Sequence, residues 1–179
     1  MVERFDEKIR DTVKLFSVIA LILVIVSLAY GRKPSWYTKF KQIKPLISTK
    51  QDIERIFKNP KIIFTYDEGW IKTIEYKLKE GRLSISYSTG KCKPGSEYGY
   101  NVNQDVVTDS DFTLENQVKI TRLGLDLRNF EKGEIRDIIG TFIYSNEDLG
   151  ESYVGTSSEI KILKIFPTTA QESLACKKT

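Results

Sequence analysis

A change of hydrophobic period at Pro60 constrains the fold of this chain more than any other feature. Before it, Ile53, Ile56 and Phe57 recur at helical spacing; after it, Ile62, Phe64 and Tyr66, then Ile74, Tyr76 and Leu78, then Leu83, Ile85 and Tyr87 alternate with other residues. A spacing of three to four sets side chains on one stripe of a helix, and a spacing of two sets them on one side of a strand. One amphipathic helix over about residues 49–58 is therefore predicted to lead into three strands. Ser48 and Gln51 have the capping-box spacing, and Lys58-Asn59-Pro60 supplies a cation, a residue that tolerates a left-handed cap, and a stop. Asp67-Glu68-Gly69 and Lys79-Glu80-Gly81 are turn sequences, so the strands pair as an antiparallel meander with Lys72, Glu75, Lys77, Ser84 and Ser86 on the wet side.

Beyond Tyr87 the alternation lapses from Ser88 to Asn103 into a long loop rich in Gly, Ser, Asn and Pro. Loops of that length inside a compact domain are functional or tied down. Strand-like residues resume at Val106–Leu114 and Val118–Leu123. An irregular connector follows at Leu125–Phe130 and a charged turn at Glu131–Glu134. Thr141–Ser145, Glu151–Val154 and Glu159–Phe166 read as further strands, and Thr168–Ala175 as one helical turn delivering Cys176. The expected fold is α+β: a short amphipathic helix packed on an antiparallel sheet of about six or seven strands.

Ahead of this domain lies an uncharged run, Leu15–Tyr30, preceded by Lys14 and followed by Arg32-Lys33. Residues 1–30 read as a signal peptide or a transmembrane anchor. Ser27-Leu28-Ala29 puts small residues where a signal peptidase would cut after Ala29. As a membrane-spanning helix the sixteen-residue run reaches only about 24 Å of a hydrocarbon core of about 30 Å, so an anchor would need flanking residues to contribute. Residues 31–46 read as a basic, aromatic juxtamembrane linker in which Arg32, Lys33, Trp36, Tyr37, Lys39, Phe40 and Lys41 form a membrane-interface belt. Residues 47–179 are the extracytoplasmic domain. Cys92 and Cys176, an even pair in an exported domain, read as one disulfide, with two unrelated buried thiols as the alternative.

Composition excludes more chemistry than it suggests. There is no histidine, which removes His-based triads, His general bases and His metal sites. A net charge of +4 is too small to argue for nucleic acid. Asp105, Asp109 and Asp111 lie close together, with Asp109 and Asp111 on one strand face, but no glycine-centred metal loop accompanies them, so a solvated strand face is the plainer reading. Glu147 and Asp148 sit in a turn where acidic residues are ordinary. Ser88-Thr89-Gly90-Lys91 lacks the leading glycine and the trailing hydroxyl residue of a phosphate loop. No catalytic, cofactor or metal site is assigned. Trp70, Tyr98 and Tyr100, aromatic residues in or beside turns and loops, are the candidate partner contacts.

The blocks Phe40–Pro60 (FKQIKPLISTKQDIERIFKNP), Ser84–Cys92 (SISYSTGKC), Tyr100–Val107 (YNVNQDVV), Leu125–Phe130 (LDLRNF), Tyr144–Gly150 (YSNEDLG) and Ser173–Cys176 (SLAC) resemble, in order, those of an uncharacterised family of small exported bacterial proteins. The chain departs from that pattern in having Lys58-Asn59 where a glycine usually precedes the proline. The resemblance implies export, a shared fold and matching cysteine positions, but no chemistry. The opening alone is similar, more loosely, to the SmpA/OmlA-like proteins that scaffold outer-membrane barrel assembly. The expected function is a non-enzymatic, membrane-anchored interaction module outside the cytoplasm, or a small accessory subunit of a membrane protein complex, binding protein partners through the Ser88–Asn103 loop or a sheet edge. The alternative is a soluble periplasmic enzyme or ligand-binding protein released by cleavage after Ala29.

Overall fold

The computed structural model describes residues 33–92, 99–135 and 138–177. The run Leu15–Tyr30 and Arg32 lie outside them, and among the described residues no helix is long and apolar enough to cross a membrane. Pro34–Thr179 is one compact unit.

Eight strands form one antiparallel sheet: β1 (Lys61–Asp67), β2 (Ile71–Lys77), β3 (Gly81–Ser88), β4 (Val107–Lys119), β5 (Glu131–Glu134), β6 (Phe142–Asn146), β7 (Glu151–Gly155) and β8 (Glu159–Ile165). Their order across the sheet is β1-β2-β3-β4-β8-β7-β6-β5. Two four-stranded meanders thus meet through the β4–β8 pair, leaving β1 and β5 as the two edges. The strand beyond the expected six or seven is β5. Glu131–Glu134, expected as a charged turn, pairs with β6 from Glu131↔Ser145 to Glu134↔Phe142. An outer strand with no buried face has no need to alternate, so periodicity does not mark it. The expected strand Val118–Leu123 is also corrected. Val118 and Lys119 finish β4, whereas Ile120–Leu123 turns into a helical turn, α3, closed by Gly124 at φ 61°.

The helix before the sheet, α2 (Lys50–Phe57), follows the predicted periodicity, but its cap lies one residue later than Ser48-Gln51. The Asp52 N–H donates to Thr49 Oγ1 (3.3 Å) and the Thr49 N–H donates back to Asp52 Oδ2 (2.9 Å), a reciprocal capping box. These bonds hold the Asp52 carboxyl below the usual carboxylate range, the Thr49 backbone N–H first among the causes. Lys58 and Asn59 both take left-handed backbone angles, φ 58° and 55°, and turn the chain into β1.

One sheet face carries the core. Ile74, Tyr76, Leu83, Ile85, Tyr87, Val107, Phe112 and Leu163 are buried there together with Ile53 and Phe57 of α2. Lys72, expected on the wet side, lies opposite Tyr87 on this face, half-buried, because it is two residues from Ile74 in the same strand. Tyr76 and Tyr87 hydroxyls meet at 3.0 Å, so each buried phenol has a partner. Burial pushes both phenols up.

The segment expected as a juxtamembrane linker belongs to this core. Ser35–Phe40 forms a helix, α1, whose Trp36, Tyr37 and Phe40 are 8%, 3% and 1% exposed. Trp36 meets Phe112 edge-on at 5.1 Å between ring centroids, and Phe40 lies 5.9 Å from the same ring. These three rings therefore do not form an interfacial belt. Trp36, Tyr37 and Phe40 recur at i, i+1 and i+4, which is one helical face, and burial against Phe112 stabilises more than contact with water would. Lys41 pairs with Glu151, which also accepts from the Tyr153 hydroxyl, so one of the basic residues of the stretch is tied to β7.

Candidate functional site

Strand β1 is the anomaly of the sheet. All seven of its residues are exposed, and none belongs to the core cluster. Ile62, Ile63, Phe64 and Tyr66 leave 47%, 44%, 54% and 51% of their surface open. Ile62, Phe64 and Tyr66, expected on one buried face, are also split between faces. The pairs run Ile62↔Tyr76, then Phe64↔Glu75, Thr65↔Ile74 and Tyr66↔Thr73, so a bulge at Ile63 reverses the phase. Ile62 stays on the core side beside Tyr76. Phe64 and Tyr66 cross to the opposite face, beside Glu75 and Thr73.

An edge strand carries a row of unpaired N–H and C=O groups along its outer side, and proteins usually blunt it with charge, brevity or cover. The opposite edge shows this treatment: β5 is the four-residue sequence EKGE, fully exposed. β1 has Lys61 and Asp67 only at its ends, with Ile62 to Tyr66 carrying no charge between them. Ile138 and Ile139, beyond β5, are likewise open at 55% and 99%, but they occupy a turn and expose no ladder.

The predicted partner contacts fall elsewhere. Trp70, half-buried at the turn after β1, packs against Gly99: a Cβ built there would lie 3.8 Å from Trp70 Cε3 and 3.5 Å from Cys176 Sγ. Cys92 and Cys176 are joined as a disulfide with 5.8 Å between Cα atoms. Around it the end of the long loop is laced to the C-terminal segment: Tyr100 bridges Ala175, the Cys176 N–H donates to the Gly99 carbonyl (3.1 Å), and the Asn101 N–H donates to the Leu174 carbonyl (2.7 Å). Thr169–Leu174 supplies the helical turn expected before Cys176, in 3-10 form. Tyr100 is half-buried, its phenol pushed up by burial, and it borders a shallow 240 Å³ cleft with Glu147, Phe166 and Glu172. Tyr98 lies outside the described residues. Trp70 and Tyr100 thus brace the staple rather than standing free as anchors.

Asp109 and Asp111 do share a face, opposite Ser86 and Ser84. Burial raises both carboxyls, while the Lys164 ammonium, 3.8 Å from Asp111, pulls them back down. Among the described residues no group of three or more Cys, Asp or Glu is placed to hold a metal. Glu147 and Asp148 occupy a turn, where the Asp148 carboxylate accepts a long hydrogen bond from Thr169 (3.4 Å). The larger clefts are open grooves, one of 410 Å³ beside Trp36, Lys79, Glu80 and Arg122 and one of 480 Å³ beside Lys39, Asp52 and Arg55.

The β1 surface was hidden from sequence reasoning because an edge position is a property of the whole sheet. A trace of it was legible: Ile62-Ile63-Phe64 are three consecutive apolar residues, one more than a one-sided strand of that phase requires. The disulfide fits an oxidising, extracytoplasmic compartment. Comparison with protein-family models, curated proteins and solved structures found no match to this chain.

Proposed function

We propose that this protein is a non-enzymatic interaction module, held at the outer face of a membrane by its N-terminal apolar run, that binds protein through the β1 edge of its sheet. The observation that carries this reading is the combination in β1 of a ladder edge unpaired among the described residues with four half-open large apolar side chains. An added strand completes the backbone hydrogen bonds, and pockets between alternate side chains give selectivity. The disulfide supports the compartment. An accessory subunit of a membrane complex would use the same edge. The rival, a soluble periplasmic protein released after Ala29, differs in intact mass: a chain isolated from native membranes with residues 1–29 attached supports the anchored form.

The test is site-specific photo-crosslinking in native membranes. A photoreactive phenylalanine analogue at Phe64 is expected to give a discrete protein adduct that the same group at Lys77, exposed at the end of β2, does not. Absence of an adduct at Phe64, Ile63 and Tyr66 alike would refute the β1 edge as a binding surface.

A further inference from the structure

We propose that the occupant of the β1 edge is β1 of a second copy of this chain, paired antiparallel about a two-fold axis at Thr65. The inference rests on β1 being a binding edge, and it specifies the partner.

The register follows from the faces. Residues opposite one another across a ladder project to the same side. Phe64 and Tyr66 share the face of Glu75 and Thr73, and Thr65 shares that of Ile74. An antiparallel two-fold centred on Thr65 sets Phe64 against Tyr66 of the second copy, twice by symmetry, and Thr65 against Thr65. Centring on Phe64 would pair Phe64 with itself and leave Tyr66 opposite the Lys61–Ile62 end of the other strand, without an aromatic partner. The Thr65 register gives two aromatic cross-strand pairs, among the more favourable sheet contacts. It also brings Lys61 of each copy beside Glu68 of the other, whereas a parallel arrangement would align Lys61 with Lys61. The strand is self-complementary in charge only when antiparallel.

Closure follows as well. An isologous contact uses the same patch on both copies and ends there. The remaining free edge is β5, short and charged, which does not extend the ladder. Pairing therefore stops at a dimer with a continuous sheet. Four half-open side chains and one ladder edge make a small patch against the roughly 1,000 Å² in total that a specific interface buries. The dimer is accordingly weak, and covalent trapping suits it better than isolation.

The experiment uses the full chain in native membranes, with the native disulfide intact. Residues opposite each other in an antiparallel pair have Cα atoms about 4.5 to 5.5 Å apart, within disulfide range. T65C is expected to form a cross-linked dimer on mild oxidation. K77C, whose copies would lie at opposite ends of the paired strands and at least three strand spacings, about 14 Å, apart, is expected to stay monomeric. Adding F64D, or Y66D as a second variant, to T65C should abolish the dimer while the melting temperature holds, because both side chains are exposed. Equal cross-linking at positions 65 and 77, or a dimer indifferent to both F64D and Y66D, would show collision and overturn the register. A monomeric T65C with a foreign adduct at Phe64 would overturn self-pairing but keep the binding edge. No adduct and no dimer would overturn both.

Discussion

Breaking the Cys92–Cys176 bond is expected to lower stability substantially without dissolving the fold. The bridged cysteines are 84 residues apart in sequence. In the chain-entropy model, a loop of that length restricts the unfolded chain by about 4.5 kcal/mol, with native disulfides in practice contributing about 2 to 4. For a domain near 150 residues each kcal/mol moves the melting temperature by about 3 °C, so reduction, or Cys92→Ser with Cys176→Ser, should lower it by about 6 to 12 °C. The folded state loses little by comparison. The Tyr100–Ala175 bridge, the two backbone hydrogen bonds beside it, and the Gln171 amide donating to the Pro45 carbonyl (3.1 Å) all remain. Paired thermal melts with and without reductant, monitored by circular dichroism, measure the shift. Limited proteolysis should show the first new cleavage between Ser88 and Asn103. A shift below about 2 °C would refute the reasoning from loop closure, and labelling of both thiols in unreduced folded protein would refute the bond itself.

Three further outcomes are expected. Phe40→Ala should destabilise the domain by about 3 to 5 kcal/mol in denaturant melts, because the ring is buried on Phe112; a change within about 0.5 kcal/mol, typical of surface sites, would return Phe40 to the membrane interface. Tyr76→Phe and Tyr87→Phe should each cost about 1 to 3 kcal/mol by orphaning the other buried hydroxyl, and the double variant should cost less than the sum, a coupling that a double-mutant cycle reads directly. Asp109→Asn should raise stability at neutral pH. Its carboxyl is raised in the folded state by burial, so its contribution favours folding below the ordinary carboxylate range and is lost as pH rises through the folded value. The advantage of the variant should therefore shrink as pH falls through the raised folded value toward about 4 and change no further below it, and an advantage that grows on acidification would contradict the sign.

Local signals identified most of the elements for a local reason. Helix α2, its left-handed exit at Lys58-Asn59 and the strands β2, β3, β6, β7 and β8 depend on spacing and turn chemistry within a dozen residues. The same holds for the helical turn that delivers Cys176. Gly81 shows where the local account stops. It was legible as a turn residue, but a Cβ there would lie 2.1 Å from the Thr113 carbonyl oxygen. That close approach across to β4 is a contact between segments more than thirty residues apart.

What the sequence determined by itself was period, punctuation and exclusion: an α+β chain with antiparallel meanders, two cysteines free to pair, and no histidine chemistry. The tertiary structure decided which apolar residues are inside. Trp36, Tyr37 and Phe40 look like a membrane belt beside lysines and are core; Ile62, Phe64 and Tyr66 look like core and are open. Amphipathic patterns state that a face exists, but its burial depends on whether another element lies over it. α1 covers Phe112 at the centre of the sheet. β1 lies at its margin, where one bulge turns Phe64 and Tyr66 away from the core.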